Sequence, residues 1–279
     1  MATIFNENSV TGEACGTGAM RQYLLTEERV PGVGILLDRL SIIAGGEVSL
    51  TVPATSVAWL QVLEGEAQLL RGGNSEVLAD AHIAFLPPGF YGTLSVERTA
   101  SVLYGEIPNA ARLDPTFVQD PPPFRLADWT REPVLDSQHD ARKRIYLLTP
   151  KLFATKAVKG EMIIYPPGTA AANHHHEGAE HFMYVLRGRG TVYANEKPFP
   201  VRKGDVIYYP DLERHYLEAA KDDELVFGEF FAPAEFKTIW VNNKEICTWQ
   251  PTGRDIRGRA PVREIKGHSS AEFLSPLDV

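Results

Sequence analysis

The sequence of 279 residues has only two cysteines, Cys15 and Cys247, which lie far apart in the chain. Neither belongs to a C-x-x-C pair, so the sequence predicts two free thiols in a reducing compartment rather than a disulfide framework. The chain also lacks a basic excess, because its formal net charge is −8 at pH 7. That balance argues against nucleic acid as a partner, since a phosphate-binding surface leaves an excess of lysine and arginine.

Long apolar runs are missing as well. No segment approaches the ~20 uninterrupted apolar residues of a membrane span. The N-terminus has no basic segment followed by an apolar run, so no signal peptide is predicted. We therefore expect a soluble, cytoplasmic protein with no membrane partner. Long stretches with a 3.6-residue period are also absent, which predicts that helices are few and short.

The chain instead contains many short runs rich in β-branched and aromatic residues, bounded by glycine and proline. Examples are residues 58–63, 82–86, 162–165, 182–186 and 224–231. Runs of about four to eight residues with this composition are typical of strands in sandwiches and barrels. A hydrophobic content of 44% is sufficient for a sizeable core. The predicted fold class is all-β.

Two strand–turn–strand blocks occur twice. Residues 59–69 resemble residues 182–192, and residues 77–87 resemble residues 200–210. Both pairs of blocks are separated by 123 residues, as the glycines Gly65 and Gly188 show. A constant offset predicts two tandem β-domains of similar fold.

The repeat and the composition divide the chain into four predicted segments. An N-terminal barrel covers residues 1–107, and a C-terminal barrel covers residues 141–245. Residues 108–140 between them are rich in proline, which suits an extended crossover. Residues 246–279 form a polar tail with little strand character.

A cluster of histidines indicates where the chemistry lies. Of the eight histidines in the chain, His174, His175, His176 and His181 lie within eight residues, and His215 follows downstream. A neutral imidazole offers a lone pair near neutral pH, and histidine is the commonest metal ligand. Since side chains alternate along a strand, His174 and His176 share one face and His175 points to the other. The pattern predicts one divalent metal.

Two motifs around these histidines resemble the metal motifs of the cupin superfamily and cover the core of the C-terminal repeat. The first motif contains Gly168, His174, His176 and the strand-ending Gly188, and the second contains Gly204, Asp205, Tyr209, Pro210 and His215. The resemblance implies a small jelly-roll barrel with one metal on its inner wall. Two such repeats imply a bicupin, with two tandem cupin (jelly-roll) β-barrels.

The middle metal ligand has two candidates. Counting forward from His176 by the motif spacing leads to Glu180, whereas counting back from Gly188 leads to His181. Neighbouring residues face opposite ways on a strand, so only one of the two should enter the site. We favour His181, because the glycine anchors the hairpin register, and we keep Glu180 as a proton shuttle or alternative ligand.

At the level of the whole chain, the layout resembles the bicupins called glyoxylate-induced proteins, whose characterised members are (S)-ureidoglycine aminohydrolases of allantoin breakdown. They also pair an empty N-terminal cupin with a metal-bearing C-terminal cupin. The resemblance implies an aminohydrolase that releases ammonia, with manganese as the first candidate metal and iron, nickel or zinc as alternatives. That family uses a glutamate and a glutamine among its ligands, where this chain has His174 and His215.

The proposed metal ligands are therefore His174, His176, His181 and His215. Other side chains near them in sequence are candidates for substrate binding. Those that could bind a carboxylate are Arg187, Arg214 and Lys203, and those that could donate hydrogen bonds are Tyr184, Tyr193 and Tyr208. The expected partner is a small, anionic molecule, and we expect a homo-oligomer.

The N-terminal repeat should hold no metal, because valine, alanine and glycine occupy the positions that correspond to the histidines. Two other functions remain open for the C-terminal site. Neutral imidazoles with open positions suit an Fe²⁺-dependent dioxygenase. Alternatively, the metal could hold a metabolite for recognition without turnover. A purely structural metal is disfavoured, because structural sites saturate their ligands.

Overall fold

The computed structural model describes residues 1–242, 246–266 and 279. Strands hold 54% of these residues and helices 5%, which confirms the predicted all-β class with few short helices. The α-helix found among them is α1 (Pro150–Phe153). Short 3-10 segments lie at Glu7–Ser9, Ala110–Arg112 and Trp129–Arg131. Within the described part of the chain, no helix is long and apolar enough to cross a membrane.

The strands are numbered in chain order. The first ten are β1 (Thr3–Asn6), β2 (Glu13–Leu25), β3 (Leu36–Thr51), β4 (Val57–Glu64), β5 (Glu66–Arg71), β6 (Asn74–Ala79), β7 (His82–Leu86), β8 (Tyr91–Ser95), β9 (Ala100–Ile107) and β10 (Arg125–Asp128). The remainder are β11 (Val134–Ser137), β12 (Lys143–Leu148), β13 (Lys159–Tyr165), β14 (His174–Glu177), β15 (Glu180–Ala194), β16 (Lys197–Arg202), β17 (Asp205–Tyr209), β18 (His215–Ala219), β19 (Leu225–Ala232), β20 (Lys237–Trp240) and β21 (Trp249–Pro251).

The chain forms two compact units, each with one curled antiparallel sheet. The N-terminal unit consists of Glu7–Trp129 and Phe153–Ala157. Its sheet has the order β10-β7-β4-β9-β3-β8-β5-β6, and β2 pairs with β3. The interior is apolar and is built from alternate residues of these strands, such as Leu40 and Ile42 of β3 and Ala58 and Leu60 of β4.

The C-terminal unit consists of Met1–Asn6, Thr130–Leu152 and Val158–Val279. Its main path is β20-β14-β18-β15-β19-β13-β12-β11-β21, with β16 and β17 also paired to β15. Strand β1 pairs antiparallel with β17, so the first residues of the chain complete this sheet. The inner face of β15 carries Met183 and Val185 in the core, which places His181 on the same face.

The repeat glycines have a steric role in both units. Gly188 has φ +76°, and a Cβ there would lie 1.8 Å from the carbonyl oxygen of Glu224. Gly65 has φ +82°, and a Cβ would lie 2.6 Å from the carbonyl oxygen of Thr99. Positive φ and close backbone approach both require glycine. The two glycines therefore set equivalent strand bends at the predicted offset.

The compact units differ from the predicted segments in three places. Residues 1–6 belong to the C-terminal unit because β1 pairs there. The predicted crossover, 108–140, contributes β10 to one sheet and β11 to the other, so it divides near Thr130. The predicted tail includes β21, whose Trp249 is buried. Residues 267–278 of that tail lie outside the described residues, as do residues 243–245 of the predicted C-terminal barrel.

Candidate metal centre

Four buried side chains of the C-terminal unit bring their ligand atoms together. One atom from each of His176, His181, His215 and Glu229 lies within 4.8 Å of the others. His176 is on β14, His181 is the second residue of β15, His215 begins β18 and Glu229 is on β19. Because β15 pairs with both β18 and β19, the sheet brings residues distant in sequence to one patch of its inner face.

Hydrogen bonds orient two of the imidazole rings. The Nδ1 atom of His176 lies 3.1 Å from Oγ1 of Thr238, and Nδ1 of His215 lies 2.8 Å from the carbonyl oxygen of Glu213. Because a carbonyl oxygen only accepts, Nδ1 of His215 donates to Glu213 and its lone pair lies on Nε2, which is the usual arrangement for a metal ligand. The Thr238 hydroxyl can accept from Nδ1 of His176 in the same way.

Buried ring nitrogens without partners show that the group suits a cation. Among the residues that the structure describes, Nε2 of His215 and both ring nitrogens of His181 have no hydrogen-bond partner. His181 is 1% exposed, so bulk solvent does not reach its ring. Buried polar atoms are normally satisfied, because leaving them unpaired costs about 1–3 kcal/mol each. A bound metal would satisfy Nε2 of His215 and one ring nitrogen of His181, so the residues fit a single metal site.

The electrostatics keep the imidazoles neutral. Burial, followed by repulsion from neighbouring histidines, lowers the pKa values of His176, His181 and His215 well below the usual value. Burial also lowers the pKa of His174 to about 4. Neutral imidazoles offer lone pairs at neutral pH, which is the form a metal requires.

Glu229 is the fourth member of the group and was missed in the sequence. Its Oε1 lies 3.5 Å from Nε2 of His181. Burial, and next the negative charge of Glu161, raise the pKa of the Glu229 carboxyl well above its usual range. Arg144 lies on the other side of Glu161, with Nη2 3.3 Å from its Oε1. Three ionisable side chains, those of Arg144 on β12, Glu161 on β13 and Glu229 on β19, thus form a chain that leads to the histidines.

His174 lies beside the group of four rather than within it. Its ring centre is 4.9 Å from that of His176 and 4.4 Å from that of His215. Its Nδ1 lies 2.8 Å from the carbonyl oxygen of Ala172. The ring therefore lies next to the site on the predicted face, and its role as a ligand stays a prediction.

The alternation of β15 separates His181 from Glu180. Glu180 lies on the opposite face, where it accepts a 2.6 Å hydrogen bond from the hydroxyl of Tyr208. The structure therefore does not bring Glu180 to the histidines, and its role as a proton shuttle or alternative ligand stays a prediction. His175 likewise faces away from the group, with Nε2 3.5 Å from Oε1 of Glu177.

The three candidate tyrosines also lie on the outer face. Tyr208 bonds Glu180, and Tyr184 alternates with the core residues Met183 and Val185. Tyr193 stacks on Tyr216 with ring centres 4.1 Å apart. The structure does not bring these tyrosines to the histidines, because each faces the other side of its strand, and their contact with substrate stays a prediction.

The three candidate cations are on the surface. Arg187 is paired with Glu224 and its side chain is 64% exposed. Arg214 and Lys203 are exposed as well. None of the three is in the group of buried ligand atoms. Proximity in sequence to the histidines was a poor guide, because a strand soon leaves the site.

The barrel interior supplies other polar groups instead. A buried cavity of about 50 Å³ is lined by Arg142, Arg144, His174, Glu229 and Tyr165, among others. Tyr209, on the inner face of β17, stacks on His181 and His215 with ring centres 5.1 and 4.3 Å apart. The sequence did contain a signal for Glu229, because it is a charged residue within the otherwise apolar strand run 225–232.

The fold and the site together define a protein of two β-barrels with a candidate metal centre in the C-terminal barrel. Residues 161–231, which include all four clustered ligands, match the family model of the cupin domain. This match places a cupin domain in the C-terminal barrel, and the two-barrel fold agrees with the bicupin layout that the sequence resembles.

Two curated relatives match parts of the chain. It is 36% identical over 74 residues to an uncharacterized protein of Methanocaldococcus jannaschii, covering 26% of this chain and 58% of that protein. It is 26% identical over 128 residues to the oxalate decarboxylase OxdC of Bacillus subtilis, covering 44% of this chain and 32% of that enzyme. The chain thus spans less than two thirds of the length of either relative.

Solved structures resemble nearly the whole chain. The protein YlbA from E. coli has a TM-score of 0.67 at 12% identity, covering 83% of this chain and 90% of that chain. A protein from Pseudomonas aeruginosa, named as glyoxylate induced, has a TM-score of 0.69 at 13% identity, with 82% and 88% covered. A variant of Bacillus subtilis OxdC has a TM-score of 0.67 at 14% identity, with 85% and 79% covered. Likeness at this identity shows the fold alone.

Proposed function

We propose that this bicupin is a metal-dependent enzyme that acts on a small anionic substrate, and that it hydrolyses a C–N bond of a ureidoglycine-like molecule with release of ammonia. The observation that carries the proposal is the buried group of three histidines and a glutamate, in which Nε2 of His215 and both ring nitrogens of His181 lack partners among the described residues. The adjacent cavity of about 50 Å³ leaves room for only a small group.

In this proposal His176, His181, His215 and Glu229 hold the metal, with His174 as an additional candidate. When bound, a divalent cation supplies a Lewis acid that orients and polarises the substrate. The side chain of Glu161, between Arg144 and Glu229, keeps the Glu229 carboxylate oriented. The hydroxyl of Tyr165 remains protonated at neutral pH, because burial raises its pKa to about 12.

The ligand set bears on the choice of metal. The sequence suggested four histidines and hence a site of low negative charge, which would suit Fe²⁺ and oxygen chemistry. Glu229 adds a carboxylate to that set. A mixed imidazole and carboxylate site suits manganese as well as iron, so the reason for preferring a dioxygenase is weaker. We propose manganese as the native metal.

The hydrolase proposal rests on the layout of the chain. The metal group lies in the C-terminal barrel, and at the repeat positions of His181 and His215 the N-terminal barrel has Ala58 and Gly92. The fold likeness to the Pseudomonas aeruginosa protein that is named as glyoxylate induced supports the same layout.

A second candidate is decarboxylation of a small dicarboxylate such as oxalate. It is favoured by the sequence match to the Bacillus subtilis oxalate decarboxylase over 128 residues. Both candidates require a metal and a small anionic substrate, and they differ in the bond that is broken.

One set of assays distinguishes these functions. Protein purified without a metal-affinity column is analysed for bound metals and then incubated without oxygen with ureidoglycine or with oxalate. Release of ammonia that is lost in His176→Ala supports the hydrolase, and carbon dioxide released from oxalate supports the decarboxylase. In a parallel incubation with oxygen, consumption of oxygen would instead indicate a dioxygenase. Metal binding with none of these reactions would contradict both proposed activities and favour a metabolite-binding protein.

A further inference from the structure

Two cavities of the C-terminal unit meet at the same residues. The buried cavity of about 50 Å³ is lined by Glu229 and His174 of the metal region and by Arg142, Ala171 and Cys247. A larger, open cavity of about 350 Å³ is also lined by Arg142, Ala171 and Cys247. These three residues therefore lie between the open cavity and the space beside the candidate metal centre.

Arg142 is a buried cation with part of its bonding capacity unused. Its Nε donates to the carboxylate of Asp140, Nη1 donates to the hydroxyl of Tyr165 at 3.2 Å, and Nη2 donates to Sγ of Cys247 at 3.2 Å. A guanidinium has five N–H donors, so these described partners leave two. The Tyr165 hydroxyl accepts from Arg142 and keeps its own hydrogen for another acceptor.

Comparison of the two repeats shows which polar residues occur in both barrels and which occur in only one. At the 123-residue offset, Arg144 corresponds to Arg21 and Glu161 to Asp38. Both pairs form ion pairs inside their units. This arginine–carboxylate pair therefore occurs with or without the histidines, which indicates a role in the barrel scaffold.

Arg142 and Tyr165 differ from that shared pair. At the same offset, Arg142 corresponds to Ala19 and Tyr165 to Ile42, both of which are buried in the apolar core of the N-terminal unit. The cation and the hydroxyl are thus specific to the barrel that holds the histidines. Arg142 and Tyr165 are therefore the pair expected to recognise a ligand that enters the C-terminal barrel.

We propose that Arg142 and Tyr165 bind the carboxylate of the substrate in the buried cavity, and that the anion enters through the open cavity on the other side of Arg142 and Cys247. This inference rests on the proposed function for the identity of the site, and it replaces Arg187, Arg214 and Lys203 as the carboxylate-binding residues. The guanidinium donates two N–H groups and Tyr165 donates its hydroxyl. A ligand of the size of the cavity is a short-chain carboxylate.

The two cysteines of the chain provide a test on the unmodified protein, because Cys247 lies at the proposed entrance and Cys15 lies in the other unit. Acetate is the probe, and the neutral isostere acetamide is its control. We expect acetate to slow alkylation of Cys247 by iodoacetamide in a saturable way, as measured by peptide mass spectrometry. Acetamide should not protect Cys247, and neither probe should change the alkylation of Cys15.

Variants test the residues named. Arg142→Gln should weaken the protection by acetate on the order of tenfold or more, because charge-assisted hydrogen bonds are lost. Tyr165→Phe should weaken it less, and Arg142→Lys should retain part of it. Arg187→Gln, which changes an exposed arginine, should behave as the wild type. Equal protection by acetate and acetamide in the wild type would overturn the inference even if Arg142→Gln did not fold.

The outcome is separable from that of the proposed function. Metal content and turnover are measured on the same samples. A protein that binds metal and turns over substrate, but in which acetate leaves Cys247 unprotected or protects it equally in folded Arg142→Gln, contradicts this inference alone. A protein that shows Arg142-dependent protection but holds no metal contradicts the proposed function alone.

Discussion

Glu229 is the residue at which the energetics of the site are clearest. An ionised carboxylate in a protein interior costs several kcal/mol unless it is paired. The guanidinium of Arg144, whose charge acts on Glu229, pairs with Glu161, and the other neighbours of Glu229 include the neutral ring of His181. A divalent cation would offset the cost of burying Glu229 and would also use the lone pairs of the histidines.

The first prediction concerns this carboxylate. Glu229→Gln keeps the shape of the side chain and removes its charge, so we expect metal affinity to fall on the order of 10- to 100-fold or more. Glu180→Gln is the matched control, because Glu180 lies on the other face of β15 and bonds Tyr208. Competition with a chelator measures both. Equal affinities in the two variants would show that Glu229 is not a ligand.

The second prediction concerns two neighbouring histidines. His176→Ala should remove most of the bound metal, because His176 belongs to the buried group. His175→Ala should retain it, because His175 faces Glu177 on the other side of β14. The metal content of the two variants is measured at matched purity. The same loss of metal in both would contradict the conclusion that His175 and His176 lie on opposite faces of β14.

Single residues also show what could be predicted from the sequence. His176, His181 and His215 were expected to lie together, and the structure brings them together, although their binding of metal stays a prediction. Glu229 could not be identified by spacing, because its strand follows the second motif and reaches the site only through the pairing of β15 with β19. Arg142 and Tyr165 were missed for the same reason, since they precede the first motif.

At the scale of elements, strand alternation decides which polar residues are functional. The inner faces of β15, β17 and β19 carry His181, Tyr209 and Glu229, and adjacent positions face outwards. Glu180, Tyr184 and Tyr208 lie on the same strands as the inward-facing residues, but they face away from the histidines. The register of β15, anchored at Gly188, was the sequence feature that favoured His181 over Glu180.

The third prediction concerns the ion pair between β2 and β3 in the N-terminal unit. Nε of Arg21 donates to Asp38 at 2.8 Å, and Asp38 is 5% exposed. Burial, opposed by Arg21, raises the pKa of Asp38 to about 6 from an ordinary value of 3.8. A raised pKa in the folded state means that this group contributes stability below pH ~4, which is lost as the pH rises through ~6.

The size of this effect follows from the shift. A difference of about two pKa units corresponds to about 3 kcal/mol in the free energy of unfolding. We expect the wild type to lose on the order of that amount from this group between pH 4 and pH 7, and Asp38→Asn to lose none of it. Urea unfolding at several pH values measures how the free energy of unfolding of each protein depends on pH. The same dependence on pH in both proteins would contradict the raised pKa of Asp38.

For the whole molecule, the repeat explains why one barrel holds the candidate metal site and the other does not. The two units share the bend at the glycines and an arginine–carboxylate pair. The positions of His181 and His215 are Ala58 and Gly92 in the N-terminal repeat, and that of Tyr209 is Leu86. Ala58 and Leu86 belong to the apolar core of that unit, so its interior is filled where the other has ligands.

The fourth prediction follows from this asymmetry. Because a ligand that binds only the folded state stabilises it, a metal at 100 times its dissociation constant adds about 2.7 kcal/mol of stability. Here that gain should be confined to the C-terminal barrel. We expect one metal per chain, and we expect its removal by a chelator to increase hydrogen exchange in peptides that cover β14, β15, β18 and β19. Peptides that cover β3, β4, β8 and β9 should exchange as before.

The variant His181→Ala is the control, and the same C-terminal peptides should exchange in it at the rate of the chelated wild type, with or without added metal. Two metals per chain, or an equal increase in exchange in both barrels, would show that the N-terminal barrel binds metal as well, and the assignment of chemistry to one barrel would then be wrong.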